Sequence, residues 1–498
     1  MKQGKNIFPK ALTGVYGLDE ITEGGIPKGR PTLICGSAGC GKTVLAVQFL
    51  IKGITEYNEP GVFMSFEETT KDLTENVRSF GYDLEKAIAQ KKLKIDYVRV
   101  ERSEIQETGE YDLEGLFIRL NYAIDSIGAK RVVLDTIESL FSGLDNTAVL
   151  RSEIRRLFQW LKEKGVTTII TGERGENTLT RQGLEEYVSD CVILLDFRVI
   201  EQIATRRLRI VKYRGSTHGT NEYPFLIDEN GVSVLPITSL KLEHPTSTEI
   251  VSTGLPGLDK LFTGGGYYKG NCALITGSAG TAKTILASYF ALSSCRRKEK
   301  VLYFSFEESP DQLIRNMSSV GINLKQYVKS KLLLIHSSRP SLHGLEMHLL
   351  SLHKHIREFK PHTIIIDPIS SLVSVGSRSE VRAMLARLMD MLKGHRISTL
   401  FTSLTQEQPI AYNESSEEAV SSLVDTWIKV RNEESKGNRV RSLYIVKSRG
   451  MGHSSEVKDF IVTDLGIKMM KAEPFAKQNG NGSGKDLILS GNHSKHKL

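Results

Sequence analysis

The chain has 498 residues, 40% of them apolar and 25% charged, a balance that suits a globular protein with room for two or three cored domains. No run approaches the ~20 apolar residues of a membrane helix, and the opening MKQGKNIFPK carries no apolar signal core. The net charge of +8 is spread along the chain, which argues against a nucleic-acid partner, and five scattered cysteines (Cys35, Cys40, Cys191, Cys272, Cys295) without metal-ligand spacing point to the cytoplasm.

The first chemically specific stretch is PTLICG followed by GSAGCGKT (36–43) and KTVLAVQFLIKGI. This reads as strand, loop and helix, and Gly36, Gly39, Gly41, Lys42 and Thr43 satisfy G-x-x-x-x-G-K-[ST]. In that pattern successive backbone N–H groups surround nucleotide phosphates, the lysine reaches the β- and γ-phosphates, and the hydroxyl binds Mg²⁺. VFMSFEET (62–69) ends in Glu67 and Glu68. Adjacent strand residues face opposite ways, so one carboxylate can take a proton beside the nucleotide while the other tunes it or holds structure. RVVLD ends in Asp135, the acid associated with Mg²⁺ in such enzymes. A helix over AVLRSEIRRLFQWLKEKG stops at Gly165, and TTIIT is a further buried parallel strand. IVKYRGSTH (210–218) sets Lys212 and Arg214 on one face, a cation pair suited to the γ end of a triphosphate.

These blocks then recur in the same order, 232 to 241 residues later. LTGVYGLDEITEGGIPKGR is answered by STGLPGLDKLFTGGGYYKG, FEET by FEES, VVLDTIESLF by IIIDPISSLV, and KYRG by KSRG. The chain is therefore a tandem duplication of a doubly wound α/β domain, with the junction in PITSLKLEHPTSTEI. We expect domains at 1–240 and 241–470, and a flexible tail at 471–498 rich in Gly, Asn, Ser and Lys. The second loop, GSAGTAKT, keeps Gly277, Gly280, Lys283 and Thr284 but has Ala282 in place of Gly41. Nucleotide binding is expected there too, with a geometry shifted by a methyl that could crowd the phosphates. Glu307, Glu308, Asp367, Lys447 and Arg449 repeat the acids and cations of the first copy. Six histidines fall between 336 and 362 (His336, His343, His348, His353, His355, His362), none at i, i+4; His343, His348 and His353 are five apart, which walks around a helix and predicts a solvated helix in preference to a metal site. Cys40 is expected to serve as a small packing residue.

Together the blocks resemble the KaiC family, the ATPase-kinases of the cyanobacterial clock and their relatives, over roughly residues 12 to 470. The resemblance implies two tandem RecA-like P-loop NTPase domains with mostly parallel sheets, in a homohexamer of two stacked rings with ATP and Mg²⁺ between subunits. It makes Glu67 and Glu307 the general bases, flanked by Glu68 and Glu308, with Thr43, Asp135, Thr284, Asp367 and Glu307 on the metal side. Nucleotide contacts fall on Gly39, Cys40, Gly41, Lys42, Thr43, Val44 and Ser79, and on Gly280, Thr281, Ala282, Lys283, Thr284 and Ile285. From the neighbouring subunit they fall on Lys212, Tyr213, Arg214, Ser216 and His218, and on Arg441, Lys447, Ser448, Arg449, Met451 and His453.

The family's second domain phosphorylates itself on adjacent hydroxyls four residues before an aspartate, which VSSLVDT matches with Ser421, Ser422 and Asp425. Aligning Asp190 with Asp425 sets Glu186 and Tyr187 opposite them, so only the second copy carries the hydroxyl pair. A KaiB-like protein partner is implied, although the tail shows no stretch matching the family's clock-partner segment. The competing readings are a RecA-type DNA motor, which would want a basic or aromatic DNA-contact loop, and a nucleotide-gated scaffold with little turnover.

Overall fold

A computed structural model describes residues 8–98, 113–141, 147–175, 178–180, 183, 188–200, 203–236, 247–342, 344–375, 378–405, 421–435 and 438–470. The expected tail, Glu186, Tyr187 and His343 lie outside them. A short ribbon of β1 (Lys10–Ala11) and β2 (Ile26–Pro27) opens the first half. It leads to β3 (Pro31–Gly36), β4 (Gly61–Ser65), β5 (Leu93–Tyr97), β6 (Arg131–Asp135) and β7 (Thr167–Glu173). These are followed by β8 (Cys191–Ile200), β9 (Ile203–Tyr213), β10 (Glu222–Asp228) and β11 (Gly231–Val234). Together β3 to β11 form one nine-stranded sheet in the order β11-β10-β9-β8-β3-β7-β6-β4-β5. From β8 to β5 the neighbours run parallel, and β8 to β11 continue as antiparallel hairpins.

The second half repeats this. A ribbon of β12 (Ile250–Val251) and β13 (Tyr267–Tyr268) precedes β14 (Cys272–Gly277), β15 (Val301–Ser305), β16 (Leu333–Ser337), β17 (Thr363–Asp367) and β18 (Ser398–Leu404). Then come β19 (Thr426–Ser435), β20 (Asn438–Ser448), β21 (Lys458–Thr463) and β22 (Gly466–Met469), in the order β16-β15-β17-β18-β14-β19-β20-β21-β22. Every residue of β3, β4, β6, β14, β15 and β17 is buried. Burial on both faces is why these strands read as continuous apolar runs without alternation. Helices cover both faces and enclose two apolar clusters per half, with Lys42–Glu56 and Lys283–Arg296 each running out of a glycine-rich loop.

The helix that carries His348, His353 and His355 is not a solvated one. Helix Leu345–Phe359 of the second half packs against the outer hairpin of the first, and Leu226 and Leu235 are buried in a cluster otherwise built by the second half. Tyr16 Oη lies 3.0 Å from His353 Nδ1, Arg357 stacks on the Tyr16 ring, and Lys354 pairs with Asp228 at 2.9 Å and Glu229 at 3.0 Å. His348 is buried with Nε2 3.0 Å from Pro340 O, and the His336 and His355 rings are 4.3 Å apart. Burial pushes His336 and His353 down to about 4. Helical spacing marks faces but cannot say whether water or another domain covers them. Among the described residues, no three His, Cys, Asp or Glu side chains converge as a metal site.

Candidate nucleotide sites

Parallel strands deliver their C-terminal ends to one edge of each sheet, where open α/β sheets bind ligands. At that edge β3 ends in Gly36 and the loop closes onto the helix through Gly39 (φ 73°) and Gly41 (φ 102°). Nothing lies within 4 Å of where a Gly39 Cβ would sit, so the backbone there is open to a ligand. Lys42 Nζ folds over the loop, donating to Gly36 O at 2.9 Å and Ser37 O at 3.1 Å. Thr43 Oγ1 donates to Asp135 Oδ2 at 2.9 Å, and Thr171 donates to the other Asp135 oxygen. Burial raises the Asp135 carboxyl above its usual range, and these two hydroxyls oppose the rise.

The glutamate pair divides, although both residues lie in a bend just past the end of β4 at Ser65 and not in the strand itself, with Glu68 N donating to Ser65 Oγ at 3.0 Å. Glu67 Oε1 accepts from Thr136 at 2.8 Å and Ser139 at 2.6 Å, beside Asp135. Glu68 turns toward helix Thr70–Arg78, where Asn76 donates to it at 3.3 Å. Ser79 is exposed at the end of that helix. Cys40 is buried with its thiol pushed up, and Val44 packs on the core.

The second edge repeats this with several substitutions, Thr281 for Cys40, Ala282 for Gly41 and Tyr303 for Phe63 among them. Lys283 Nζ donates to Gly277 O at 2.8 Å and Ser278 O at 2.7 Å, and Thr281 Oγ1 donates to Ser278 O at 2.9 Å. Burial lowers the Lys283 ammonium. Thr284 follows in the first helical turn. Glu307 Oε1 accepts from Ser371 at 2.9 Å, and Glu308 Oε1 from Asn316 at 3.1 Å. Asp367, however, takes the Tyr303 hydroxyl at 2.7 Å together with Thr402. Ala282 holds the left-handed φ of 72°, and both it and Ile285 pack against the core. A Cβ at the matching Gly41 would meet Ile227 Cδ1 on β10 at 2.5 Å, so the side-chain direction here is toward the outer hairpin. The register that pairs Ile227 with Val232 pairs Val462 with Ile467, so the position matching Ile227 carries the shorter Val462 in the second half.

The cations and hydroxyls lie at the other edge. β19 runs parallel to β14 with Thr426 opposite Ala273, so Ser421 and Ser422 precede the strand at the edge remote from the loop. Lys447 Nζ donates to Ser421 O, and Arg449 Nη2 to Ser422 O at 2.7 Å. Ser421 is buried and Ser422 exposed. Asp425 pairs with Lys393 at 2.8 Å, and Ser448 Oγ is 3.2 Å from Thr426 Oγ1. In the first half Lys212 and Arg214 close β9 at the same remote edge, with Arg214 N donating to Asp190 O at 2.8 Å.

Tyr213, Ser216, His218, Met451 and His453 flank these cations. Tyr213 points the other way, donating to Gly25 O at 2.9 Å. Ser216 and His218 bond nearby carbonyls, Met451 packs on the core, and His453 Nδ1 lies 3.3 Å from Ser454 O. The five steps between the six residues of β14, at ~3.3 Å each, put the two edges roughly 17 Å apart. Arg441 belongs to the loop edge, donating to Gly280 O of its own chain at 3.0 Å.

Sequence reading passed over the side chains that hold the acids: Ser139 and Ser371, Thr171 and Thr402, Asn76 and Asn316. The signal was available, since each pair recurs at the spacing of the repeat. Tyr303 carried a different signal, a hydroxyl where the first copy has Phe63.

The family profile "ATPase: KaiC" matches residues 11–239 and 251–474. The circadian clock protein KaiC2 of Synechocystis is 55% identical over 463 residues, which cover 93% of this chain and 82% of that protein. The circadian clock oscillator protein KaiC of Synechococcus elongatus is 38% identical over 459 residues, 92% of this chain and 88% of that protein. That of Thermosynechococcus vestitus is 37% identical over 462 residues, 92% and 89% of the two chains. With two profile matches falling on two sheets of one topology, each carrying a phosphate loop, the chain belongs to the KaiC ATPase family of tandem RecA-like domains.

Proposed function

We propose that the protein is an ATP-hydrolysing Ser/Thr kinase that phosphorylates itself, a cytoplasmic homohexamer of two stacked rings with ATP bound between subunits. The observation that carries the reading is the separation of the two edges. Loop, acids and candidate base sit at one edge of each sheet, while Ser421, Ser422, Lys447 and Arg449 sit at the other. A γ-phosphate held by a chain's own loop is too far from its own serines. A neighbouring chain that presents its remote edge to that loop brings acceptor, cations and base together.

Hydroxyl and carboxylate donors suit Mg²⁺: the Thr43 hydroxyl meets the Asp135 carboxylate at the first helix start, and the second half repeats the residue types with Thr284, Asp367 and Glu307. Thr43 and Asp135 would hold the ion in the first half, and Thr284, Asp367 and Glu307 in the second; it supplies charge neutralisation on the β- and γ-phosphates. Lys42 and Lys283 exchange loop carbonyls for phosphate oxygens. Glu67 takes a proton from water for hydrolysis, and Glu307 takes one from a serine hydroxyl of the neighbour. Lys447 and Arg449 already hold the acceptor backbone and steady the incoming charge. Ser79, exposed at the end of its helix, is the proposed contact to the first nucleotide's base. The relatives' names tie them to circadian clocks, and we extend to this chain a regulatory role with a KaiB-like protein partner.

The test is phosphosite mapping after incubation with labelled Mg-ATP. Wild type should carry label on Ser421 and Ser422, while Ser421→Ala/Ser422→Ala and Glu307→Gln/Glu308→Gln should not. Equal labelling of all three would refute the assignment, and ATP turnover without any label would favour the scaffold reading.

A further inference from the structure

The two halves treat their strand-end aspartates differently. In the first, the partner of Asp135 Oδ2 is Thr43, the loop hydroxyl itself. In the second, Asp367 Oδ2 accepts at 2.7 Å from Tyr303, which is fully buried, and Thr402 occupies Oδ1. The strand register explains the reach. Tyr303 pairs with Ile365, and Asp367 lies two residues further along β17 on the same face. In the first half that diagonal joins Phe63, paired with Val133, to Asp135, and phenylalanine has no donor to offer.

A second substitution accommodates the phenol. Ser288 on helix Lys283–Arg296 stands where helix Lys42–Glu56 has Val47, and both positions are buried. An apolar Val47–Phe63 pair in one half thus becomes a polar Ser288–Tyr303 pair in the other, directly beneath the phosphate-loop helix.

We infer that Tyr303 is a positioning residue of the second nucleotide site, holding Asp367 toward β15 and so weakening that site's grip on its divalent cation relative to the first. The inference rests on the reading of both loops as metal-nucleotide sites. An oxygen already bound by a fixed buried donor has one lone pair fewer for the metal's shell, whereas Thr43 is free to turn with Asp135 toward the same ion. A hydrogen bond to a charged group is worth about tenfold in an equilibrium constant.

Binding of Mn²⁺ to the ADP-loaded full-length protein, followed by electron paramagnetic resonance, tests this without turnover. Wild type should show two ions per chain in two classes of differing affinity. Tyr303→Phe should tighten the weaker class about tenfold and leave the stronger unchanged, and the Mg²⁺ concentration for half-maximal labelling of Ser421 and Ser422 should fall in parallel. Ser288→Val/Tyr303→Phe, which restores the first half's packing pair, should behave the same and guards against a loss of folding. Two equal classes in wild type, or variant isotherms that superpose on it, would overturn the inference alone. Absence of nucleotide-dependent Mn²⁺ would overturn the metal-nucleotide reading and this inference with it.

Discussion

A Cβ placed on Gly41 would come within 2.5 Å of Ile227 Cδ1, at a φ of 102° that side chains rarely adopt. Ala282 occupies the same place at φ 72°, where Val462 is one methylene shorter than Ile227. By analogy with the Cβ direction at Gly41, the methyl expected to crowd the phosphates leads to the outer hairpin instead, and the two loops differ as matched pairs, Gly41 with Ile227 and Ala282 with Val462. Gly41→Ala should therefore cost roughly 2–4 kcal/mol in first-domain stability, combining left-handed strain with overpacking. Ile227→Val should restore part of it. Ala282→Gly should change stability by less than about 1 kcal/mol, because relief of strain offsets added freedom in the unfolded chain. Denaturant unfolding, with a fluorescent ADP analogue reporting the loops, measures all three. A neutral Gly41→Ala would show that the hairpin yields.

Helix Leu345–Phe359 packs against the first half, and two histidines give the contact a pH dependence: His353 on the helix and His336 on β16, whose ring meets His355 of the helix. His353 and His336 fall to about 4 from an ordinary 6.5, chiefly because burial disfavours the charged ring, with Arg357 and His395 adding to this at His353 and His355 and His348 at His336. Since the folded values are depressed, the unfolded chain binds more protons between pH 4 and 6.5. The stabilisation is complete above 6.5 and is lost as pH falls toward 4. Thermal midpoints should accordingly rise from pH 4.5 to 6.5 and flatten above. His353→Gln, which keeps a partner for Tyr16, should remove part of that slope, and an unchanged slope would assign it elsewhere. The parallel strands of both halves were legible in VVLD and IIID because burial on two faces writes itself as unbroken β-branched runs. The packing of this helix was not legible, because an amphipathic helix under another domain has the same spacing as one in water. The edge on which Arg441 sits was hidden for a related reason: it depends on how far β20 runs before the repeat's cations, which motif order alone does not convey.

At the scale of the whole molecule, phosphate loop and acceptor cannot meet within one chain, and this makes the assembly testable without seeing it. Lys283→Ala removes the loop cation of the second domain but keeps Ser421 and Ser422, while Ser421→Ala/Ser422→Ala keeps the loop and removes the acceptors. Alone, neither variant should label. Mixed subunits, exchanged by removing nucleotide and then restoring it, should transfer phosphate from the loop of the serine-less chain to the serines of the lysine-less one. Nucleotide between subunits favours the assembled state by mass action, so labelling should fall as subunits are diluted below the assembly threshold. Each phosphate adds about −1.5 to −2 charge beside Lys447 and Arg449, whose side chains already reach Ser421 O and Ser422 O. Those cations can turn from the carbonyls to the phosphate, so the acceptor edge, once modified, holds its own chain more tightly and presents a different surface to the neighbour. Chains of distinct mass allow the labelled partner to be read directly. Label confined to the Lys283→Ala chain supports transfer between subunits, and a mixture as silent as its components would place donor and acceptor within one chain.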